Sequence, residues 1–293
     1  MPANEPRTGP AAQRRIGFHV SIEGGLPEAI PHALERECTA LQVFAGNPRG
    51  WALQERTPLE FATFRKARAE AELQPLVVHA CYLINPCAPD RDVFAHSVRR
   101  LARELSAAFE MDADYYVIHP GSPRGKAPSR AVRRAAKAFA KAAERASGLP
   151  MILLENTAGD YGPGGSFETL AALKDALQAL DGDLRVGLCI DSCHAFTAGY
   201  DFRDAAGADR MVEDIRRTVG LEAVRLIHVN DSRDEPGSRR DRHAHIGRGT
   251  IGLDGLRNLI LHPAFAGLPL ILETPWESLE DDLANIRAVR ALL

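Results

Sequence analysis

The chain has 293 residues, 45% of them hydrophobic and 26% charged, with a formal net charge of −3. This is an ordinary globular composition, long enough for one large α/β barrel or two smaller domains. It excludes a membrane-spanning helix, since no apolar stretch approaches the roughly 18 residues a span requires, and a generally basic nucleic-acid binder, though not a local basic face.

Residues 1–15 contain Pro, Ala and Arg without an apolar h-region, so they read as a disordered tail rather than a secretory signal. Ile16–Val20 is the first short apolar run, with His19 near its end; Leu41–Phe44 is the second, ahead of Asn47-Pro48-Arg49. Six further runs each close on a metal-ligand residue. Val77-Val78 leads to His79, Tyr116–Ile118 to His119, Ile152–Leu154 to Glu155, Leu188–Ile190 to Asp191, Leu226-Ile227 to His228, and Leu270–Leu272 to Glu273. A short apolar run that closes on one polar residue reads as a buried strand delivering it to the strand's C-terminal end. Successive endings are 40, 36, 36, 37 and 45 residues apart, the period of a repeated strand–helix unit.

Helical patterning fills the gaps over Pro27–Glu37, Pro58–Leu73, Asp90–Glu110, Ser129–Ser147, Phe167–Leu180, Ala205–Val219, Leu253–Leu261 and Ser278–Leu292. Pro58 suits a first turn and Asp90 a cap. Eight strands alternating with eight helices predict a single-domain (β/α)8 TIM barrel over 16–293, whose chemistry gathers at the C-terminal strand ends. An open doubly wound sheet would instead bind at one switch point. The longest segment without helical pattern, Asn230–Gly252, holds Asp241 and His243 and feeds into the same site.

The candidate metal ligands are His79, His119, Glu155, Asp191, His194, His228, Asp241, His243 and Glu273. A catalytic zinc takes about three protein ligands and a water, so this set suits two or three ions sharing a carboxylate, with Glu155 the central candidate. Asp191-x-x-His194 and Asp241-x-His243 read as strand ends turning into loops. Imidazole with carboxylate favours zinc, then manganese, and argues against magnesium. Clustered divalent ions suit in-line displacement at phosphorus, so phosphate-ester hydrolysis is the expected chemistry. Three such ions would take the net charge from −3 to +3, concentrated where a polyanion approaches. Arg49, Arg124 and the arginines of Asn230–Gly252 lie at that end and are candidates for phosphate contact, the acids Asp231, Asp234, Glu235 and Asp241 partly offsetting them. His32, His96 and His262 read as structural; His19 and His245 are open between orienting a ligand, touching substrate and facing solvent. Cys38, Cys81, Cys87, Cys189 and Cys193 lack zinc-knuckle spacing and read as structural thiols in a reduced, cytoplasmic setting.

From Ile16 to the C-terminus the motifs resemble the endonuclease IV family of apurinic/apyrimidinic DNA-repair endonucleases. They read Gly17-Phe18-His19, Asn47-Pro48-Arg49-Gly50-Trp51, His79-Ala80-Cys81-Tyr82-Leu83-Ile84-Asn85, His119-Pro120-Gly121-Ser122, Leu154-Glu155-Asn156, Asp191-Ser192-Cys193-His194, His228-Val229-Asn230-Asp231, Asp241-Arg242-His243 and Leu272-Glu273-Thr274-Pro275. The resemblance implies a barrel with three zinc ions that cuts duplex DNA on the 5′ side of an abasic site and also cleans blocked 3′ ends. It implies one ion on His79, His119 and Glu155, a second on Glu155, Asp191, His228 and Glu273, and a third on His194, Asp241 and His243. Glu155 and Glu273 would be the catalytic carboxylates, His19 a residue behind the ligands, and Arg49, Tyr82 and Leu83 would enter the DNA at the lesion. Ala45-Gly46 departs from the bulkier or basic residues usual there, and residues 1–15 lie outside the resemblance. The rival reading is a metal-dependent sugar isomerase or epimerase of a related barrel, which needs fewer ions and leaves His194, Asp241, His243 and the Tyr82-Leu83 pair without a role. A monomer is expected.

Overall fold

The computed structural model describes residues 14–125, 127–159, 164–180 and 184–293. Eight parallel strands close a barrel: β1 Ile16–His19, β2 Ala40–Phe44, β3 Leu76–His79, β4 Tyr115–Ile118, β5 Met151–Glu155, β6 Val186–Asp191, β7 Val224–His228 and, after a small separate sheet (β8 Asp231–Ser232, β9 His243–Ala244), β10 Leu270–Leu272. Each pairs with the next in sequence, and β10 pairs with both β7 and β1, which closes the ring. Buried on both faces, the strands read as apolar runs, as the sequence predicted.

The pleat sorts each strand's residues. Val78, Ile118, Leu154 and Ile190 point outward into the large core beneath the helices. Ala40, Val77, Val117, Leu153, Cys189, Leu226 and Ile271 form a second cluster that fills the barrel's interior. Side chains alternate with period two, so the residue two positions further along each strand also faces inward. At the C-terminal end those positions are Gln42, His79, His119, Glu155, Asp191, His228 and Glu273.

The helices are α1 Ala29–Glu35, α2 Pro58–Glu70, α3 Arg91–Glu110, α4 Pro128–Ala143, α5 Phe167–Leu180, α6 Ser192–Ala198, α7 Ala205–Thr218, α8 Gly252–Ile260 and α9 Leu279–Leu292. Side chains of Thr57, Asp90, Asp204 and Ser278 cap α2, α3, α7 and α9 by accepting first-turn amides, each worth about 1 kcal/mol.

Four expectations are corrected. The helix predicted over Pro27–Glu37 is a 3-10 turn, Leu26–Glu28, followed by α1. Starting the α-helix at Ala29 keeps Pro31 in its first turn, where no backbone N–H is needed. Asp191-x-x-His194 does not enter a loop: Asp191 caps α6 directly, its Oδ1 accepting from His194 N at 2.7 Å. Seven residues are too few to show a helical period, and no turn signal separates α6 from β6. Asp241-x-His243 leads into a short antiparallel ladder, with Asp231 opposite Ala244 and Ser232 opposite His243. Finally, the folded chain begins before Ile16. The Arg14 guanidinium donates to the carbonyls of Leu268 and Phe265, and Arg15 O accepts from Leu270 N at 2.9 Å. Residues 1–13 of the expected tail lie outside the described residues.

Candidate metal centre

The barrel brings the nine candidate ligands into three groups, in each of which the donor atoms lie within 4.8 Å of one another: His79, His119 and Glu155; Glu155, Asp191, His228 and Glu273, which shares Glu155 with the first; and His194, Asp241 and His243. Glu155, fully buried, divides its two oxygens. Oε2 lies 3.2 Å from His79 Nε2 and 3.1 Å from His119 Nε2, while Oε1 lies 3.2 Å from His228 Nδ1 and 3.4 Å from His194 Nδ1. On the far side, Asp241 Oδ1 is 3.1 Å from His194 Nε2 and 3.3 Å from His243 Nε2.

The surroundings fix which imidazole nitrogen faces the cluster. Nδ1 of His79, His194 and His243 contacts the backbone carbonyls of Ala80, Asn156 and Glu273 at 2.8, 3.0 and 2.9 Å. A carbonyl only accepts, so Nδ1 carries the proton and Nε2 turns its lone pair inward. Nε2 of His194 and of His243 is buried without a hydrogen-bond partner, although Asp241 is close. Buried polar atoms are rarely left unpaired, so two that converge beside a carboxylate fit a divalent cation. His228 is arranged the other way round: its Nε2 meets Gln42 Oε1 at 2.9 Å and its Nδ1 faces the acids.

Burial opposes charge on His194, Glu155 and His243, and the neighbouring charges overcome it. Against desolvation, Asp191, Asp241 and Glu155 hold the His194 imidazole well above its ordinary value. Against the same penalty, His119 and His228 hold the Glu155 carboxyl well below its own. His243 is pushed up to about 9, chiefly by Asp191 and Asp241 against burial. A field that favours the charged form of the His194 and His243 imidazoles also draws divalent cations.

A model of the xylose isomerase-like TIM barrel family matches residues 31–293. The probable endonuclease 4 of Methanoculleus marisnigri is 40% identical over 278 residues, 94% of this chain and 98% of its own length. The chain belongs to the endonuclease IV family. The crystal structure of endonuclease IV from Thermus thermophilus matches with a TM-score of 0.82 at 37% identity, over 95% of this chain and 98% of that one. A putative xylose isomerase from Rhodospirillum rubrum, at 18% identity and a TM-score of 0.72 over 95% and 99% of the two chains, shares the fold alone.

Within this endonuclease IV family member the remaining predicted residues separate. Arg49 is exposed on the loop after β2, and Tyr82 stands 65% exposed above the cluster, its ring 5.1 Å from Phe44 and 6.3 Å from His79. Leu83 is half-buried and packs against the outer core rather than projecting beside Tyr82. His19 lies behind the ligands, its Nδ1 3.3 Å from Glu273 Oε1 and 2.9 Å from Gln42 Nε2. His245 instead joins Asn285 of α9 at 2.9 Å, and His32, His96 and His262 contact Ser21 O, the Trp51 ring and Ala264 N, all away from the site. All five cysteines are free and buried. Cys193 lies near Asp191 and His243, but burial and Asp191 push its thiol up to about 12, which favours the neutral form. In Asn230–Gly252, Arg240 and Arg242 pair with Asp234, and Asp231 is buried, accepting from the amides of Ser232, Gly249, Ile251 and Gly252. Asp231 therefore shapes the loop and offsets no exposed arginine.

Sequence reasoning missed Gln42. It is fully buried, with Nε2 donating to Glu273 Oε1 and Oε1 meeting His228, so one amide orients two candidate ligands. The available signal was a lone polar residue two positions after Ala40, inside the apolar run Leu41–Phe44.

Proposed function

We propose that this protein hydrolyses the phosphodiester on the 5′ side of an abasic site in duplex DNA, leaving a 3′-hydroxyl and a 5′-deoxyribose phosphate, and that it also cleans blocked 3′ ends. The observation that carries the reading is the division of Glu155, whose Oε2 faces His79 and His119 while its Oε1 faces His228, with His194, Asp241 and His243 gathered beside it. His79, His119 and Glu155 would hold one ion; Glu155, Asp191, His228 and Glu273 a second; His194, Asp241 and His243 a third. The imidazole–carboxylate donors favour zinc, with manganese the next fit. Bound divalent ions supply hydroxide at neutral pH and stabilise the attacking and leaving oxygens of an in-line displacement.

The chain's own groups do the rest. Glu155 and Glu273 are the catalytic carboxylates: Glu155 spans the cluster, and Glu273, 16% exposed, presents its carboxylate at the barrel mouth with Oε1 held by Gln42. Arg49 meets the phosphate backbone. Tyr82 and the half-buried Leu83 meet the DNA at the lesion, Tyr82 filling the gap of the missing base, and extruding a nucleotide costs least where pairing is already lost. The reading includes a monomer in a reduced, cytoplasmic compartment, in keeping with five free cysteines. No helix among the described residues is long and apolar enough to cross a membrane.

The test is incision of a duplex carrying a tetrahydrofuran abasic analogue, alongside elemental analysis of metal per chain. Incision with about three ions per chain is expected. Metal-replete protein that leaves the duplex intact, or binds about one ion and interconverts sugars, would overturn the reading.

A further inference from the structure

Outside the metal centre, the most deeply buried ion pair among the described residues is an i,i+4 pair on α3. Arg100 and Glu104 are each 1% exposed, and the Tyr116 ring beneath them is fully buried. Arg100 Nε donates to Glu104 Oε1 at 2.6 Å. Taking two charges out of water costs free energy that a well-packed apolar pair would not, so stability alone does not account for them.

Their other bonds lead to two loops. The Arg100 guanidinium donates to Ala52 O and, at 3.3 Å, to Asn47 O, the carbonyls that bracket Arg49. Glu104 Oε2 accepts from the Cys81 amide at 3.1 Å and from the Tyr116 hydroxyl at 2.7 Å, and Cys81 immediately precedes Tyr82. The loops are also tied directly, with Cys81 Sγ donating to Pro48 O at 3.0 Å. Arg103, one residue before Glu104, donates to Leu53 O at 2.6 Å. One turn of α3 therefore holds both loops to a rigid helix and to β4.

We propose that the Arg100–Glu104 pair is a positioning device that sets the spacing of Arg49 against Tyr82, so that the phosphate contact and the wedge engage one lesion together. The proposal rests on the reading of those two side chains as DNA contacts. A planar guanidinium reaches a carboxylate and two carbonyls at once; an ammonium on a flexible stem does not. Preorganised contacts of this kind act on DNA binding and leave the chemistry at phosphorus untouched.

Arg100→Lys keeps the charge and loses the fork. In zinc-loaded protein it is expected to raise KM for the abasic duplex about tenfold, with kcat within about twofold. Zinc per chain and hydrolysis of bis(4-nitrophenyl) phosphate, too small to span the loops, stay at the parent level. Glu104→Gln is the second variant should Arg100→Lys not fold; it keeps one acceptor oxygen, and a KM rise of about threefold is expected. An unchanged KM in the folded variant overturns the proposal, as does a parallel fall of duplex and small-ester rates, which would mark a merely structural pair. Arg49→Ala separates this from failure of the underlying reading. If Arg49→Ala also leaves KM unchanged, or the parent protein does not cut the duplex, the DNA-contact assignment itself falls. If Arg49→Ala raises KM and Arg100→Lys does not, only the positioning role is lost.

Discussion

Two layers of the barrel interior sit one pleat apart on the same strands, and they differ completely in chemistry. Below lie Ala40, Val77, Val117, Leu153, Cys189, Leu226 and Ile271, a dry apolar plug. Above lie Gln42, His79, His119, Glu155, Asp191, His228 and Glu273. The side chains of the lower layer offer no polar group except the Cys189 thiol, which burial pushes up to about 12, so they do not solvate the charges above. Those charges interact through a low dielectric, where each coulombic contact counts for more than in water. This is why neighbouring charges outweigh burial at Glu155 and His194, and why divalent cations suit the space between them. The plug also keeps the upper side chains from sinking, so the centre inherits the rigidity of the barrel floor.

Stripping the upper layer of cations breaks the contrast most severely. Exhaustive chelation should abolish incision, a loss of at least about a thousandfold, with zinc restoring it. Glu155→Gln keeps the shape but removes the shared charge. Incision should fall on the order of a thousandfold and metal per chain should drop, while binding to the abasic duplex survives in a mobility-shift assay. Gln42→Ala probes the support one step behind the ligands. Loss of such a partner costs about 10–100-fold in metal affinity or activity, to be read by chelator competition as well as by incision; an unchanged zinc affinity would deny Gln42 its orienting role. Leu153→Ala strikes the lower layer and should invert the pattern. Unfolding in urea should show a loss of about 2–5 kcal/mol, whereas incision by the folded, zinc-loaded protein stays close to the parent. A large drop in incision at unchanged stability would mean that the two layers are not separable.

The strand ends were legible in the chain because a doubly buried parallel strand is mostly apolar inside, so the polar residue that closes the run stands out. The candidates His79, His119, Glu155, Asp191, His228 and Glu273 were picked out in this way, His194 by its spacing from Asp191, and Asp241 and His243 by their place in the long loop after His228. Gln42 was not, because it interrupts a run instead of ending it. The helix α6 was hidden because it begins at the residue after Asp191 and is too short to display a period. Arg100 and Glu104 have the spacing of an exposed helical ion pair, and nothing local reveals that the turn carrying them is buried under two loops. Asp231 likewise resembled a surface charge until its four amide donors were seen.

The sequence by itself determined the architecture and the type of residue at each strand end, since both follow from short apolar runs that close on one polar residue and recur every 36 to 45 residues along the chain. Tertiary structure decided which nitrogen of each histidine faces inward, how Glu155 divides its oxygens, and which residues stand behind the ligands. The physical reason is closure. Ile16 pairs with Leu270 across the seam of the barrel, and only that long-range pairing brings His19, Gln42 and Glu273 to one side of the site. Local pattern sets which way a side chain points; the closed ring sets what it meets there.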